Sequence, residues 1–174
     1  MRNGNKRSAT KEALGAPTKN DLPESTREKI VQLCNERVAD LIDLQLQAKQ
    51  AHWNVRGPRF YQLHLLFDQV YEVAVELTDI VAERASQLGG IVEGTVQAVN
   101  QRSELDPYPL DLQEGLGHVQ ALSAALASAG QRARAAIDQA DELGDKDAAD
   151  VFTEVSRGLD KQLWFVEAHL QAEQ

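Results

Sequence analysis

Apolar positions recur every three or four residues through most of this chain, which is the period of an amphipathic α-helix. The apolar stripe of the first predicted helix contains Ile30, Cys34, Val38, Leu41 and Ala48. Ser25 is its predicted N-cap and Glu28 completes a capping box. This helix ends near Val55, before RGPR. A second helix is predicted from about Phe60 to Leu88, where GG stops it.

The second half of the chain predicts two more long helices. EGTVQAVNQ is long enough for about two helical turns, and the two prolines of DPYPL force a break. A third long helix is predicted from about Leu112 to Leu143. Asp145 in LGDKDA is the predicted N-cap of the last helix, which runs to about Leu170. Four long helices and one longer crossover, residues 89–111, predict an all-α four-helix bundle with a short extra helix.

The composition agrees with one helical domain. The chain has 174 residues, of which 43% are hydrophobic and only 5% aromatic, and this mix favours helix over sheet. The single cysteine, Cys34, cannot form an internal disulfide, which suits a cytoplasmic protein. No apolar run is long enough to span a membrane, and the N-terminus lacks the apolar core of a signal peptide.

The charge is distributed unevenly along the chain. The net charge is -9, yet the first 20 residues hold only one acid. The basic residues of this segment are Arg2, Lys6, Arg7, Lys11 and Lys19. We predict that residues 1–23 form a mobile basic tail and that residues 24–174 form the bundle domain. Such a tail either attracts nucleic acid or only aids solubility.

The second helix places four metal-ligand residue types on one face. They are His64, Asp68, Asp79 and Glu83. At about 100° per residue these side chains fall within an arc of roughly 100°. However, a rise of about 1.5 Å per residue puts the first and last roughly 28 Å apart. One metal ion cannot touch both ends of the set within a single chain.

A twofold axis would bring the two ends together. The outer and inner pairs of this set share one midpoint, between Val73 and Ala74. If two copies of the helix pack antiparallel there, His64 meets Glu83 of the other copy, and Asp68 meets Asp79. The crowded carboxylates would then need a cation, since bare acids repel. His52, at the end of the first helix, can supply a second imidazole.

Mixed imidazole and carboxylate ligands suit Fe(II), Mn(II) or Zn(II), and a site with open positions suits iron redox chemistry better than structural zinc. The alternative is that these residues form an ordinary solvated polar face, as most helical acids and histidines do. The pattern of residues leaves both interpretations open.

Four segments, KQAHWNVRGPRF, LHLLFDQV, DIVAERASQLGG and DKQLWFVEAHL, closely resemble the Dps family of miniferritins, and the resemblance covers about residues 24–172. The spacing of the ferroxidase ligands matches throughout. They are His52, His64, Asp68, Asp79 and Glu83. The resemblance implies a ferritin-like bundle that assembles into a hollow homododecamer. It further implies oxidation of Fe(II) between subunits, usually by hydrogen peroxide. Zinc and manganese, which the same ligand types suit, are possible competitors. No Glu-x-x-His occurs here, which favours the intersubunit design over ordinary ferritin.

The resemblance also implies storage of Fe(III) mineral, protection of DNA from oxidative damage and, in some members, DNA binding in the nucleoid. The main rival function is therefore compaction of DNA by the basic tail, with iron chemistry secondary. A third possibility is a metal-free structural assembly. Trp53 either takes up oxidising equivalents near the metal or packs at a subunit contact. Lys49 and Arg84 either pair with the acids of the site or form ordinary surface ion pairs.

Four acids cluster at the start of the last helix. They are Asp145, Asp147, Asp150 and Glu154. The resemblance implies that this region lines acidic pores through which Fe(II) enters, and three copies would focus the field on a cation. The alternative is that acids favour a helix N-terminus through its dipole. Glu72 and Glu76 lie near the ligand arc and either nucleate mineral or face water.

Overall fold

The computed structural model describes residues 14–171. The helices of this part are α1 (Glu24–Asn54), α2 (Phe60–Gln87), α3 (Val96–Arg102), α4 (Gly115–Glu142) and α5 (Lys146–Glu167). The described residues contain no strand, only two isolated bridges. The predicted all-α class is confirmed. No helix in this range is long and apolar enough to cross a membrane.

The four long helices form an antiparallel bundle. α1 packs along α2, α4 packs along α5, and contacts of α1 with α4 and of α2 with α5 close the bundle, while α3 lies on α1. Phe67 of α2 and Phe152 of α5 are fully buried at its centre. Because the apolar stripes of all four helices face inward, the core excludes water along their length. The predicted bundle with a short helix in the crossover is confirmed.

The start of α1 differs from the prediction. Ser25 is not the N-cap, because the helix already begins at Glu24 and Pro23 occupies the cap position. The Pro23 carbonyl accepts hydrogen bonds from the backbone N–H groups of Thr26 and Arg27. Proline suits this position because its fixed φ is compatible with a helix start and its missing N–H has no helical partner to lose.

The N-termini of the last two long helices gave opposite results. Asp145 caps α5 as predicted, since its side chain accepts a hydrogen bond from the Ala148 N–H. The predicted start of α4 at Leu112 is wrong. Glu114 is still extended and forms a bridge with Arg56, and the helix begins only at Gly115. The chain must stay extended there to reach the α1–α2 loop.

The described part of the predicted tail, residues 14–23, packs on the bundle. The backbone N–H groups of Gly15 and Ala16 donate to the Gly89 carbonyl. A side chain at Gly89, whose φ is 80°, would place its Cβ 2.5 Å from the Ala16 carbonyl oxygen. The Arg27 guanidinium donates hydrogen bonds to the Leu22 and Leu88 carbonyls. The prediction of a mobile segment as far as residue 23 was therefore too long, and its remainder lies outside the described residues.

The crossover between α3 and α4 is fixed to α1 by polar side chains. The buried Asp40 carboxylate accepts a hydrogen bond from the Glu104 N–H at 2.9 Å, and Gln47 donates to the Asp106 carbonyl at 3.1 Å. Burial raises the pKa of Asp40 to about 6, an effect that the nearby Arg37 opposes. These contacts place the next residues of the crossover, including Tyr108, beside the first turn of α4.

Candidate metal centre

His52 near the end of α1 and His64 in α2 form a reciprocal pair. His52 Nδ1 lies 2.8 Å from the His64 carbonyl oxygen, and His64 Nδ1 lies 2.9 Å from the His52 carbonyl oxygen. The two imidazole rings stack with centroids 3.6 Å apart and an interplanar angle of 21°. Each side chain is thus held by the backbone of the other residue, and both rings are fixed in one orientation.

This pairing determines which nitrogen can bind a metal. A carbonyl oxygen only accepts hydrogen bonds, so each Nδ1 must carry the proton. The other nitrogen of a neutral imidazole, Nε2, then has a free lone pair. Backbone carbonyls orient metal-binding histidines in this same way. The pair therefore presents two Nε2 atoms as ready ligands for a metal ion.

Asp68 lies one helical turn from His64 and is held by a lysine. The Lys49 ammonium group donates a hydrogen bond to Asp68 Oδ1, and the same oxygen lies 3.9 Å from His52 Nδ1. The hydrogen bond from Lys49 is the main reason that the pKa of Asp68 is lowered. Asp68 is therefore ionised at neutral pH and is half-buried beside the imidazole pair.

Asp79 and Glu83 lie at the opposite end of α2 and are exposed. Within residues 14–171 neither carboxylate makes a hydrogen bond or an ion pair, in contrast to Asp68. Because α2 is one uninterrupted helix, Glu83 stays roughly 28 Å from His64, as predicted, and Asp79 roughly 22 Å from it. The fold thus brings His52, His64 and Asp68 together and leaves Asp79 and Glu83 apart.

No metal site is complete within the described part of one chain. Nowhere in that part do three or more His, Cys, Asp or Glu side chains form a group that could hold a metal ion. Imidazole nitrogens lie at one end of α2 and two unpaired carboxylates at the other, and both are ligand types that divalent transition metals accept. One ion could contact both groups only if they came from two chains.

The two helices that carry the imidazole pair also carry large exposed apolar side chains. Trp53, next to His52, is 68% exposed, and Tyr61, Leu46 and Leu65 are also exposed. Single exposed apolar residues are ordinary, but several large ones on the two helices that carry the imidazole pair are typical of a protein interface. Neither predicted role of Trp53, packing or redox, conflicts with this position.

A model of the ferritin-like domain matches residues 31–174. A "DNA protection during starvation protein" of Agrobacterium fabrum is 44% identical over 154 residues, which cover 88% of this chain and 95% of the relative. The chain belongs to the Dps family of ferritin-like proteins. The resemblance seen in the sequence is confirmed.

Solved Dps structures agree with this fold. DpsC from Streptomyces coelicolor superposes with a TM-score of 0.88 at 31% identity, covering 97% of this chain and 98% of that one. The Dps of Microbacterium arborescens, solved in a high iron form, gives a TM-score of 0.79 at 33% identity, covering 91% and 99% of the two chains. The bundle of this Dps chain is therefore shared along nearly its whole length.

The acidic cluster of this Dps chain divides into a buried and an exposed part. Asp145 is 2% exposed, and its carboxylate accepts a hydrogen bond from Arg84 at 2.5 Å while it caps α5. It cannot line an open pore, so this part of the prediction is wrong. Asp147, Asp150 and Glu154 are exposed and remain available to a pore.

The expectation that Arg84 pairs with the acids of the predicted site is not met within its own chain. Arg84 is 6% exposed, and its guanidinium forms ion pairs with Asp145 and, at 3.6 Å, with Asp147, so it does not pair with the ligand acids of its own chain. Lys49, by contrast, pairs with a predicted ligand, Asp68. Of the basic tail residues, Lys19 is described and exposed, while the others lie outside the described residues.

Sequence reasoning missed the reciprocal hydrogen bonds of His52 and His64 and the Tyr108–His118 pair. Backbone acceptors are not visible in residue types, and the two histidines are 12 positions apart, on either side of a turn. His118 has no ligand-like spacing to the other histidines, yet it is 1% exposed and bonded to Tyr108. Tyr108 lies within DPYPL, only ten positions before His118, and this closeness along the chain was the available signal of a contact.

Proposed function

We propose that this Dps chain oxidises Fe(II) with hydrogen peroxide at sites formed between two copies of the chain. One observation carries the proposal: an oriented imidazole pair from α1 and α2 lies with Asp68 at one end of α2, and two unpaired carboxylates lie at the other end. A twofold contact about Val73 and Ala74 places the first end of each α2 against the second end of the partner's α2, so that each dimer has two sites. Iron is here the substrate of the protein.

His52, His64 and Asp68 of one chain, with Asp79 and Glu83 of its partner, would bind the iron. The imidazoles supply neutral nitrogen ligands and the carboxylates offset the charge of the Fe(II) ion. Two Fe(II) ions each lose one electron, and hydrogen peroxide accepts both, so that its oxygen–oxygen bond breaks and two hydroxide ions form. The protein groups position the iron, while the electron transfer is the metal's.

The assembly we propose is a hollow homododecamer that stores the Fe(III) product as mineral. Asp147, Asp150 and Glu154 are exposed at the start of α5 and would attract Fe(II) to an entry pore. By removing iron and peroxide together, the protein would protect DNA in the cytoplasm from oxidative damage. Zinc and manganese suit the same ligands and would compete with iron.

The test is oxidation of Fe(II) added without oxygen and followed by hydrogen peroxide. Fe(III) absorbance and residual peroxide are recorded for wild type and Glu83→Ala. We expect the rapid phase to slow by at least about 100-fold in the variant, since changes to groups outside the ligand shell already cost about 10–100-fold. Glu72→Ala is the matched control, because Glu72 is exposed on the same helix and should leave the rapid phase intact.

Equal rates in wild type and Glu83→Ala would contradict the proposed site. A slow reaction in wild type, similar to that of iron in buffer, would contradict the ferroxidase activity itself. A metal-free structural role would then be favoured.

A second function that we propose is non-specific DNA binding through the basic tail. Five basic residues lie within residues 1–20, and the Agrobacterium relative is named for DNA protection. Binding by such a tail should weaken steeply with salt. Deleting residues 1–13 removes four of the five basic residues but keeps the segment that packs on Gly89. DNA mobility shifts that survive this deletion unchanged would exclude the tail as the DNA-binding element.

A further inference from the structure

Tyr108 and His118 form a hydrogen-bonded pair that the proposed iron site does not use. Tyr108 lies in the crossover and His118 in the first turn of α4. The Tyr108 Oη atom is 2.7 Å from His118 Nδ1, and the histidine is 1% exposed. A phenol this close to a buried imidazole has a base within reach of its proton.

The surroundings keep both members of the pair neutral. Burial lowers the pKa of His118, although the backbone of Asn54 and Leu112 opposes the shift, and burial raises the pKa of Tyr108. A neutral imidazole has one accepting nitrogen, so we assign the phenol as donor and Nδ1 as acceptor. The phenol therefore keeps its proton at rest and can pass it only to His118.

His118 packs against the two helices that carry the half-site, through the backbone of Asn54 in α1 and the ring of Phe67 in α2. The His118 ring centroid is 6.3 Å from that of Phe67, the residue before Asp68, and 6.1 Å from that of Tyr108. Phe67 and His118 are both buried, so no water layer separates these rings. Two short ring-to-ring steps through a packed interior therefore connect the Tyr108 phenol with Phe67, whose neighbour in α2 is Asp68.

The other two tyrosines lack these features. Tyr61 is 67% exposed, and the ring of Tyr71 lies 4.6 Å from the Lys49 ammonium group. Neither hydroxyl has a hydrogen-bonding partner within the described residues. A cation over the Tyr71 ring disfavours removal of an electron from it. Among the three tyrosines, Tyr108 is the one with a base to take its proton.

We propose that Tyr108 is an auxiliary electron donor to the iron site and that His118 holds its proton. This inference rests on the proposed function. When a site contains only one Fe(II), that ion gives peroxide one electron and Tyr108 gives the other. The oxygen–oxygen bond breaks to two hydroxide ions, the phenol becomes a neutral tyrosyl radical, and its proton moves to His118 Nδ1.

The benefit of a second electron source follows from the chemistry of peroxide. A single electron would convert hydrogen peroxide into hydroxide and a free hydroxyl radical, whereas two electrons yield only hydroxide. A later Fe(II) ion can return an electron to the Tyr108 radical, and the proton then returns from His118. Under this scheme a site with one Fe(II) ion releases no hydroxyl radical before the next iron arrives.

The experiment is rapid freezing of the full chain after peroxide is added to one Fe(II) per site, followed by electron paramagnetic resonance. We expect a tyrosyl radical in wild type and its loss in Tyr108→Phe. Tyr71→Phe is the matched control and should keep the signal. Loading two Fe(II) per site should also diminish it, because iron then supplies both electrons.

Iron oxidation with no tyrosyl radical, with only a tryptophan radical, or with an unchanged signal in Tyr108→Phe would overturn this inference and leave the proposed ferroxidase intact. An absence of rapid iron oxidation in wild type would instead overturn the proposed function and this inference with it. Fe(III) absorbance recorded on the same samples distinguishes the two failures.

Discussion

At the first end of α2, His64 and Asp68 are held by His52 and Lys49, whereas Asp79 and Glu83 at the other end contact no polar partner within the described chain. The same helix therefore carries an ordered half-site and an unpaired one. Reciprocal backbone bonds and ring stacking fix the imidazoles before any metal arrives. The carboxylates at the second end would be ordered only when a partner or a cation reaches them.

The two ends of α2 would therefore contribute differently to metal binding. Fixed ligands reduce the entropy lost on metal binding, and free carboxylates tolerate small errors in how two chains meet. At the second end of α2 the surface and the core meet at two adjacent residues. Glu83 is exposed, whereas Arg84 is buried against Asp145.

Arg84→Ala should produce the largest effect on stability. It leaves the buried Asp145 carboxylate without its cation, which costs about 3–5 kcal/mol. At about 2–4 °C per kcal/mol for a chain of this size, the melting temperature should fall by at least about 6 °C. Thermal unfolding at one fixed protein concentration measures the change.

Glu83→Ala is the matched control for this prediction, because it alters the exposed neighbour of Arg84. Its melting temperature should stay close to that of wild type while its rapid iron oxidation is lost. Equal melting temperatures for Arg84→Ala and wild type would show that the buried ion pair does not organise this end of the bundle.

Lys49→Gln should have a smaller effect at the ordered end. The variant frees the Asp68 carboxylate and removes a positive charge next to an incoming cation. Divalent metal should bind about two- to fivefold more tightly, the size expected of a partly exposed ion pair. Anaerobic titration with Co(II) measures the affinity, and Lys29→Gln, at an exposed position of α1, serves as the control. Weaker binding in Lys49→Gln would mean that the lysine helps to build the site.

The loss of its lysine should also shift the pH dependence of Asp68. The Lys49 hydrogen bond lowers the pKa of this carboxyl, so wild-type Asp68 stays ionised to a lower pH than an ordinary aspartate. In Lys49→Gln its contribution to metal binding should therefore be lost at a higher pH as the solution is acidified. The same Co(II) titration at several pH values shows whether the loss begins earlier in the variant.

Helix number, class and the shared face of α2 could be predicted from the sequence because they depend on local periodicity. The ends of helices were harder. Asp145 was correctly predicted as a cap from its position, but its burial could not be, since Arg84 is 61 residues away along the chain. That one contact turned a predicted pore residue into a structural one.

The proposed ligand residues could also be named from the sequence, because four of them have a regular spacing on one helix. The orientation of His52 and His64 was not, because it depends on backbone carbonyls that meet only after α1 and α2 pack. The packing of residues 14–16 on Gly89 was missed for a similar reason. Polar residues with glycine and proline predict a free segment unless a distant acceptor is known.

The central claim, a site divided between two chains, is tested most directly by mixing inactive variants. Asp68→Ala chains and Asp79→Ala chains are unfolded together and reassembled, and rapid iron oxidation is measured. In a mixed dimer one of the two sites receives Asp68 and Asp79 from intact positions. The matched control mixes Asp68→Ala with His52→Ala, whose altered residues belong to the same half-site.

At equal amounts, random pairing should restore about a quarter of the sites in the first mixture and none in the second. Recovery of that fraction of the wild-type rapid phase, with no recovery in the control, is the result that the divided site predicts. No recovery in the first mixture, despite mass-spectrometric proof of mixed assemblies, would contradict it.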